Sequence, residues 1–527
     1  MRILNATRIV LIAAALAASA GNAFSQKQKV LKAVIDGEIQ VTDPIATTSY
    51  VTRTFAYLVF DTLIAMNSKG EYKPQMLESF EVSKDRMSYT FKLRKGLEFH
   101  DGAPVTAADC VASIRRWAAR DGLGKLMMNA TKTIIEVDKS TFRLELARPF
   151  GFVIEALGKP SSNVPVIMPV RLASLDPSKP VPEVMGSGPF IFRKESWVPG
   201  SRMVLDRNPK YVPRNEPADG FSGGKRVFVD RVELVSIPDA ATKASALRTG
   251  EVDYVQNLPF DFVPTLAKDK NITLDQGAGL ANYVLAARPN HAQPPFNNPK
   301  IRQALQALMT QKDMLAALGA PPKYSEECYS VFMCGGPFSN DSGTENLKNA
   351  SVEKARALLK EAGYKGEKVV VIHSSDIQTI HLFSTVLEEL MKKAGFNVEV
   401  QASDWATVAK KRWNREPVEK GGWSLMPLQW AGYDLETPLT HYGIAYNCTN
   451  GYAGWSCDED MGRLLTSFAE IGDPSKRRAY VEQIQRRAHE NVSIVLGGQF
   501  TQVYAFRSNL KGVISVGIPL FWNIQKQ

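Results

Sequence analysis

Residues 421–457 concentrate side chains that can do chemistry: three Trp, four Tyr, one His and two Cys in 37 positions. The stretch also holds two acids, Asp434 and Glu436, and paired carboxylates can act as general acid and base in a hydrolase. Aromatic and polar side chains in one place are equally typical of a wall that holds a small molecule. A catalytic site, a metal site and a binding pocket therefore all stay open at this point.

Tests for catalytic motifs favour a binding role. The sequence contains no HExxH, no GxSxG and no P-loop, and its six His are scattered. His441 is the only His near a close pair of Cys, which falls short of the ligand set that zinc needs. We expect no cofactor, no metal site and no catalysis. A secreted hydrolase of peptides or glycans that uses Asp434 and Glu436 is the alternative.

The cysteines form two close pairs, Cys328 with Cys334 and Cys448 with Cys457. In an oxidising compartment such spacing predicts two local disulfides, which fix the shape of loops. Cys110 is left over, within TAADCVASIRRW, and we expect it to be a buried apolar residue rather than a reactive thiol.

The first 25 residues are typical of a secretory signal. Arg2 and Arg8 precede an apolar run from Ile9 to Gly21, and small residues follow this run. This run is too short to span a membrane, which takes roughly 20 apolar residues. No Cys follows it to accept a lipid. We therefore expect cleavage after Ala23 or Ser25 and a free protein in the periplasm.

Composition indicates a large folded protein. With 44% hydrophobic residues and 527 positions, the chain is long enough for two to four domains. Its formal net charge of +10 comes from interspersed residues rather than from a Lys/Arg block, so no nucleic-acid patch is expected. No later segment is apolar enough for membrane insertion.

Strand and helix patterns alternate along the whole chain. SYTFKLR and TFRLELA alternate apolar and polar residues, as half-buried strands do, and Thr106 with Asp109 predicts the capped start of the helix between them. Asp239 and Gly250 bound a further helix between RVELVSI and EVDYV. In the second half, KVVVIHS predicts a strand buried on both faces, followed by a helix and the strand FNVEVQAS. The sequence therefore predicts parallel α/β units.

Several segments, taken in order, resemble the extracellular solute-binding proteins of family 5, the dipeptide-, oligopeptide- and nickel-binding subunits of ABC importers. They include DPIATTSYVTRTFAYLVFDTLI (43–64), LRKGLEFHDGAPVTAADCVASIRRW (93–117), GSGPFIFRKESWVPGSRMVLDRNPKYV (186–212) and DRVELVSIPDAATKASALRTGEVDYV (230–255). PPFNNPKIRQALQALMTQKDML (294–315) and KARALLKEAGY (354–364) continue the match. These segments span nearly the whole chain after the signal.

The resemblance implies an α/β fold of the two-lobed periplasmic binding protein type, type II-like, with an extra N-terminal subdomain and a hinge between the lobes. Lobe I would comprise residues 26–284 and 500–527, with the subdomain within about 60–185, and lobe II would comprise 285–499. The resemblance also implies a monomer that traps a peptide or small polar solute and passes it to an ABC permease in the inner membrane. A ligand-loaded chaperone or sensor partner is a third reading that the sequence leaves open.

The resemblance further implies which residues hold the ligand. From lobe II come the strand that ends in Trp430 and the loop after it, and from lobe I the segment after Asp43 and Pro44. The candidates are Leu428, Gln429, Trp430, Ala431, Gly432, Tyr433 and Asp434, then Thr47, Thr48, Ser49 and Tyr50, and finally Ser374, Ser375 and Asp376. A core position for Trp430 and ordinary helix capping by residues 47–50 are the structural alternatives.

Two departures from dipeptide-binding relatives bear on the ligand. Those relatives keep an Asp three residues after the Trp, where this chain has Tyr433, and an Arg after the strand that corresponds to VVVIHSS, where this chain has HSSDIQT. Both charged clamps of a short zwitterion are therefore altered. The loop between Cys448 and Cys457 is expected to lie outside the pocket.

Overall fold

The structure, a computed structural model, describes residues 28–277, 279–345, 347–445, 448 and 452–527. The expected signal segment, residues 1–25, lies outside the described residues. Within the described part of the chain no helix is both long and apolar enough to cross a membrane.

The strands of the described chain are short and spread along its whole length. In chain order they are β1 (Val30–Val34), β2 (Ile64–Met66), β3 (Tyr72–Pro74), β4 (Leu77–Val82), β5 (Ser88–Leu93), β6 (Thr131–Glu136), β7 (Thr141–Leu146), β8 (Phe190–Phe192), β9 (Arg202–Arg207), β10 (Arg231–Val235), β11 (Tyr254–Val255), β12 (Ile272–Gln276), β13 (Tyr283–Pro289), β14 (Ser325–Glu326), β15 (Lys368–Ser374), β16 (Asn397–Ser403), β17 (Leu425–Ala431), β18 (Val495–Phe500), β19 (Val503–Arg507), β20 (Leu510–Lys511) and β21 (Gln525–Lys526).

Helices separate many of these strands. The α-helices are α1 (Tyr50–Val59), α2 (Ala107–Arg120), α3 (Gly122–Ala130), α4 (Val153–Gly158), α5 (Val170–Ala173), α6 (Ala240–Thr249), α7 (Val263–Leu266), α8 (Pro299–Gln306), α9 (Gln311–Ala317), α10 (Val352–Glu361), α11 (Gln378–Ala394), α12 (Trp405–Lys411), α13 (Glu459–Glu470) and α14 (Arg477–Asn491). Short 3₁₀ turns complete the connections, among them Gly432–Asp434 directly after β17.

Two large sheets organise the described residues. The seven-stranded sheet has the order β12-β19-β11-β1-β10-β9-β8, and the six-stranded sheet has the order β14-β18-β13-β17-β15-β16. Strand β1 pairs in parallel with β10 and β11, and β15 pairs in parallel with β16 and β17. A four-stranded antiparallel sheet, β4-β5-β7-β6, lies apart from both. The fold is thus the two-lobed α/β arrangement that the resemblance implied.

The chain passes between the large sheets twice. Strand β12 of the seven-stranded sheet ends at Gln276 and β13 of the six-stranded sheet begins at Tyr283. Strand β18 ends at Phe500 and β19, back in the seven-stranded sheet, begins at Val503. Both passages take only a few residues, so two short connections join the two large sheets.

Local signals in the sequence formed the elements that they predicted. Thr106 and Asp109 make the reciprocal capping box at the start of α2, and the Asp239 side chain accepts from the Thr242 backbone N–H at 2.7 Å at the start of α6. Gly250 ends α6 at φ 79°, a left-handed conformation that costs glycine little because it has no Cβ.

Strand β15 is buried on both faces, as its apolar run predicted. Val369 and Val371 belong to one hydrophobic cluster, whereas Val370 and Ile372 belong to another. Because successive side chains of a strand point to opposite faces, this one strand contributes to two separate cores. Both predicted disulfides are present, Cys328–Cys334 and Cys448–Cys457, and Cys110 is a buried free thiol whose pKa is raised by burial.

Candidate functional site

A cavity of about 930 Å³ lies where segments that follow strands of both large sheets meet. Its wall includes residues directly after β1, β11, β15, β16 and β17. The carboxyl ends of parallel strands are the usual place for ligands in α/β folds, since the loops that leave them converge there. The parallel pairing of β1 with β10 and β11, and of β15 with β16 and β17, therefore positions the site.

Some residues of strand β17 and of the turn after it line the cavity, and the others do not. Leu428, Gln429, Trp430 and Asp434 line the cavity, and the remaining candidates of this segment, Ala431, Gly432 and Tyr433, do not. The Gln429 amide oxygen accepts from the Thr379 hydroxyl at 2.6 Å. Trp430 is only 5% exposed, and its ring meets that of His441 edge-on at 5.7 Å. Trp430 is therefore both a core residue and part of the wall.

Packing explains the positions of two of these candidates, Tyr433 and Gly432. The Tyr433 ring meets the Phe221 ring, from the segment between β9 and β10, at 5.4 Å. A Cβ on Gly432 would lie 2.6 Å from the Leu280 carbonyl oxygen and 2.7 Å from the Met333 methyl group. Only glycine fits there, because any side chain would displace backbone of the neighbouring loop.

The segment before α1 lines the cavity from the other side. Thr47, Thr48, Ser49 and Tyr50 all belong to the wall. Ser49 stands at the N-cap position of α1 without a side-chain capping bond, and the Thr47 hydroxyl accepts from the Ser49 backbone N–H at 3.2 Å. Tyr50 and Thr48 contact residues that follow strands of the six-stranded sheet, so this segment faces the opposite lobe.

Of the candidates after β15, Asp376 lines the cavity, whereas Ser374 and Ser375 do not. The Ser374 hydroxyl is buried and donates to the Asp376 carboxylate, which also accepts from the Trp405 backbone N–H at 2.9 Å. Ser375 is exposed. Ser374 thus orients the Asp376 carboxylate without lining the cavity itself.

Asp434 ties the two sides of the cavity together. Its Oδ2 accepts from the Tyr50 hydroxyl, its Oδ1 accepts from the Ser162 backbone N–H at 2.9 Å, and the Arg53 guanidinium lies 3.9 Å from Oδ1. The Tyr50 oxygen in turn accepts from the Ala431 N–H at 2.9 Å. Burial raises the pKa of Tyr50, and the Asp434 charge adds to the effect, so the phenol stays protonated and donates. We call these contacts the Asp434 clasp.

Sequence reasoning missed a second set of contacts across the cavity. The Tyr442 hydroxyl lies 3.2 Å from an Asp121 carboxylate oxygen and 3.2 Å from the Asn163 side-chain oxygen. The Arg412 guanidinium donates to the Thr48 hydroxyl at 3.0 Å and to the Tyr452 hydroxyl at 2.6 Å. Tyr442 and Tyr452 lie in the aromatic stretch and could have been singled out. Arg412 follows Lys410 and Lys411, and no motif in the sequence marks it.

The loop between Cys448 and Cys457 is not outside the pocket, contrary to the sequence-based expectation. Tyr452, inside this loop, lines the cavity and stacks on Tyr442 with ring centroids 5.0 Å apart. The Cys448–Cys457 disulfide closes a short loop that contains Tyr452, so it restrains the position of a residue of the cavity wall.

Glu436 and His441 have roles away from the cavity. Glu436 accepts a long contact from the Tyr72 hydroxyl at 3.4 Å, and burial, with the nearby Glu155 charge, raises its pKa to about 8. His441 donates from Nε2 to the Val331 carbonyl at 2.8 Å and accepts at Nδ1 from the Gly443 N–H at 3.0 Å. Burial lowers the pKa of His441 to about 3, which keeps it neutral. Among the described residues no cluster of three or more His, Cys, Asp or Glu could hold a metal.

The sequence pattern of the bacterial extracellular solute-binding proteins, family 5 Middle, matches residues 71–452. The chain is 36% identical over 491 residues to the probable peptide ABC transporter periplasmic-binding protein y4tO of Sinorhizobium fredii, covering 93% of this chain and 92% of that one. It is 25% identical over 436 residues to the glutathione-binding protein GsiB of Escherichia coli K12, covering 80% of each.

Solved structures share the fold. The periplasmic binding protein AgaA of A. tumefaciens R10 in complex with agropinic acid superposes with a TM-score of 0.78 at 22% identity, covering 94% of this chain and 99% of that one. The binding protein DppA of Helicobacter pylori in complex with the peptide STSA gives the same TM-score and identity, covering 95% and 99%. At this identity the likeness concerns the fold alone.

Proposed function

Because this chain belongs to the bacterial extracellular solute-binding proteins of family 5, we propose that it captures a peptide or a related small polar solute between its lobes and delivers it to an ABC permease. Proteins of this family bind ligands and work with a permease; they are not enzymes. The observation that carries the proposal is the cavity of about 930 Å³, lined from both large sheets and bridged by direct hydrogen bonds.

The size of the cavity suits this task. Pockets for small organic ligands range over about 300–1,000 Å³, which is room for a short peptide or a metabolite. Closure excludes water from the ligand, and a ligand that contacts both lobes stabilises the closed form by its higher affinity for that form. Binding and release then require motion of the lobes and no covalent step.

A simple dipeptide is disfavoured as the ligand. Tyr433, which stands where dipeptide-binding relatives keep an acid, packs on Phe221 instead of facing the cavity. The neighbouring Asp434 already has protein partners at both carboxylate oxygens. Tyr433 therefore cannot bind an amino group as the acid of those relatives does, and Asp434 is already bound by the protein. Both points favour a longer peptide or a non-peptide solute such as an opine.

The lobe boundaries belong to the same proposal: lobe I comprises residues 26–284 and 500–527, with the subdomain within about 60–185, and lobe II comprises 285–499. The passages between the sheets near residues 276–283 and 500–503 support these limits. We propose further that the protein works in the periplasm as a monomer, after loss of a signal peptide, and binds no nucleic acid. The periplasmic relatives support the location, and the interspersed charges of the sequence argue against a nucleic-acid patch.

The hydrolase alternative has no support. The two catalytic carboxylates must face one substrate, but of this pair Asp434 lines the cavity and Glu436 does not, since it lies against Tyr72. The family consists of binding proteins.

Mass spectrometry of solute released from the purified, denatured protein tests the proposed function directly. We expect a small polar molecule in near-stoichiometric amount, and we expect the same molecule to raise the melting temperature of stripped protein by mass action. A chain that carries no solute and shows no thermal shift with peptides, glutathione or agropinic acid would contradict the proposal.

A further inference from the structure

Arg412 is a buried cation in the cavity wall. Its side chain lines the cavity, the residue is 5% exposed, and among the described residues no carboxylate lies within ion-pair distance of it. Two of its nitrogens donate to hydroxyl groups, of Tyr452 and Thr48, and its Nε is buried without a hydrogen-bond partner. A buried charge without a counter-charge is costly, because it has lost its water.

Aromatic rings surround this guanidinium but do not neutralise it. Its centre lies 5.2 Å from the ring centroid of Tyr452, 5.6 Å from that of Trp413 and 5.8 Å from that of Trp405. Such contacts stabilise a cation modestly and leave its charge in place. A second buried guanidinium, that of Arg288, lies 4.5 Å from the Tyr452 ring, so this ring contacts two cations.

The five acids of the described cavity wall have other partners: Asp36 accepts from the Asn257 side-chain amide at 3.1 Å, and Glu38 accepts from the Gly200 N–H at 2.6 Å. Asp434 belongs to the clasp, and Asp404 accepts from the Thr407 backbone N–H and hydroxyl at the start of α12. Asp376 accepts from the Trp405 N–H at that same end, and Arg412 follows the opposite end of this helix. Seven helical residues separate the ends by roughly 10 Å. The other two cations of the described wall, Arg120 and Lys410, are exposed and need no partner.

We infer that Arg412 binds a carboxylate of the captured solute, so that the solute supplies the missing counter-charge. This inference rests on the proposed function and adds the charge of the ligand to it. A guanidinium presents donors in a planar fork that matches a carboxylate, and the bond is strong where water is excluded. Because Thr48 comes from the opposite lobe, a carboxylate on Arg412 lies at the seam and favours the closed form.

The carboxylate has two sources, the C-terminus of a peptide or an acid group of another metabolite. Paired probes separate them: alanine peptides of two to five residues, each as the free acid and as the C-terminal amide, and glutathione with its diethyl ester. Calorimetry and thermal shift are measured on stripped full-length protein. The variants are Arg412→Gln, Arg412→Lys and the control Arg415→Gln, which removes an exposed charge three residues away that is not part of the cavity wall.

We expect the wild type and R415Q to bind at least one free acid, and to bind its amide or ester at least about 30-fold more weakly, as for a buried charge pair that loses one partner. R412Q should bind the acid at least about 30-fold more weakly and lose the preference, and R412K should recover part of both. Without ligand, the melting temperature of R412Q should equal or exceed that of the wild type, because the substitution removes a buried charge that lacks a counter-charge. A purely structural arginine would instead lower the melting temperature.

The outcomes separate the two proposals. Binding to the wild type that is equal for acid and amide, or unchanged in R412Q, overturns the role of Arg412 and leaves solute capture intact. Loss of acid and amide binding alike in R412Q shows contact with a neutral group and also overturns it. Absence of binding for every probe on the wild type contradicts the proposed function itself.

Discussion

Tyr50→Phe should open the lobes. The substitution removes one oxygen atom that donates to the buried Asp434 carboxylate and accepts from the Ala431 backbone N–H. The ring can keep its edge-on contact with Tyr283, whose centroid is 6.2 Å away, so the packing within the site is preserved. The loss therefore falls on contacts between the lobes rather than on either core.

The magnitude follows from the kind of bond that is lost. A hydrogen bond to a charged group contributes about 1.5–3 kcal/mol net, so the ratio of closed to open protein should fall about 10- to 150-fold. Where the open form dominates in the variant, the apparent affinity for the solute falls by the same factor, because only the closed fraction binds tightly. Saturating solute should restore closure.

Small-angle X-ray scattering and energy transfer between labels on the two lobes measure the closed fraction, with and without solute. The matched control is Tyr211→Phe. It removes a tyrosine hydroxyl that donates to the buried Asp61 carboxylate at 2.9 Å, and both partners belong to the part of the chain before β13, which is assigned to lobe I. The control should lower the melting temperature and leave the closed fraction unchanged. Equal closed fractions in Y50F and the wild type, or equal effects of Y50F and Y211F, would refute the reasoning.

Three further predictions follow from the site. Asp434→Asn should weaken solute binding, because it loosens the clasp. We expect no release of product from peptides or glycans by the wild type, by this variant or by Glu436→Gln. Turnover by the wild type that disappears in both variants would support the hydrolase alternative. Burial raises the pKa of Glu436 from 4.5 to about 8, so the folded protein binds more protons than the unfolded chain in this window, and its free energy of unfolding falls as pH rises from about 4.5 to about 8. Glu436→Gln should remove that slope, with a difference from the wild type that grows to at most about 5 kcal/mol in denaturant titrations between pH 5 and 9, and parallel profiles would show that the group titrates normally. Cys448→Ser with Cys457→Ser should cost about 2–3 kcal/mol of stability by loop-closure entropy, and should also weaken solute binding through Tyr452; calorimetry that shows unchanged affinity would mean that the disulfide does not hold the wall.

Much of the fold was readable because its signals are local. The capping pair Thr106 and Asp109 and the left-handed Gly250 act within one turn of their helix, so their meaning does not depend on distant residues. The continuous apolar run of β15 predicts burial on both faces for the same reason. Close spacing of Cys328 with Cys334 likewise limits the choice of partner.

The candidate site was readable in part. The order of the matching segments pointed to β17 and to residues 47–50, and most of these candidates line the cavity. No local signal could show that Tyr433 turns away onto Phe221, because that contact depends on a residue more than 200 positions earlier. The same holds for Tyr452, whose loop folds back onto Tyr442 and Arg412.

Helix caps and apolar periodicity were enough to predict individual helices and strands, because they are properties of neighbouring residues, and the ordered segments that resemble family 5 implied the two-lobed fold and the class of function. The role of each charge, by contrast, depends on the tertiary structure. The sequence placed Asp434 among the candidate ligand-binding residues and did not single out Arg412, yet folding buries both, gives Asp434 partners from the opposite lobe and leaves Arg412 without a counter-charge. Burial and pairing depend on which distant segments meet, and that is settled only when the lobes come together.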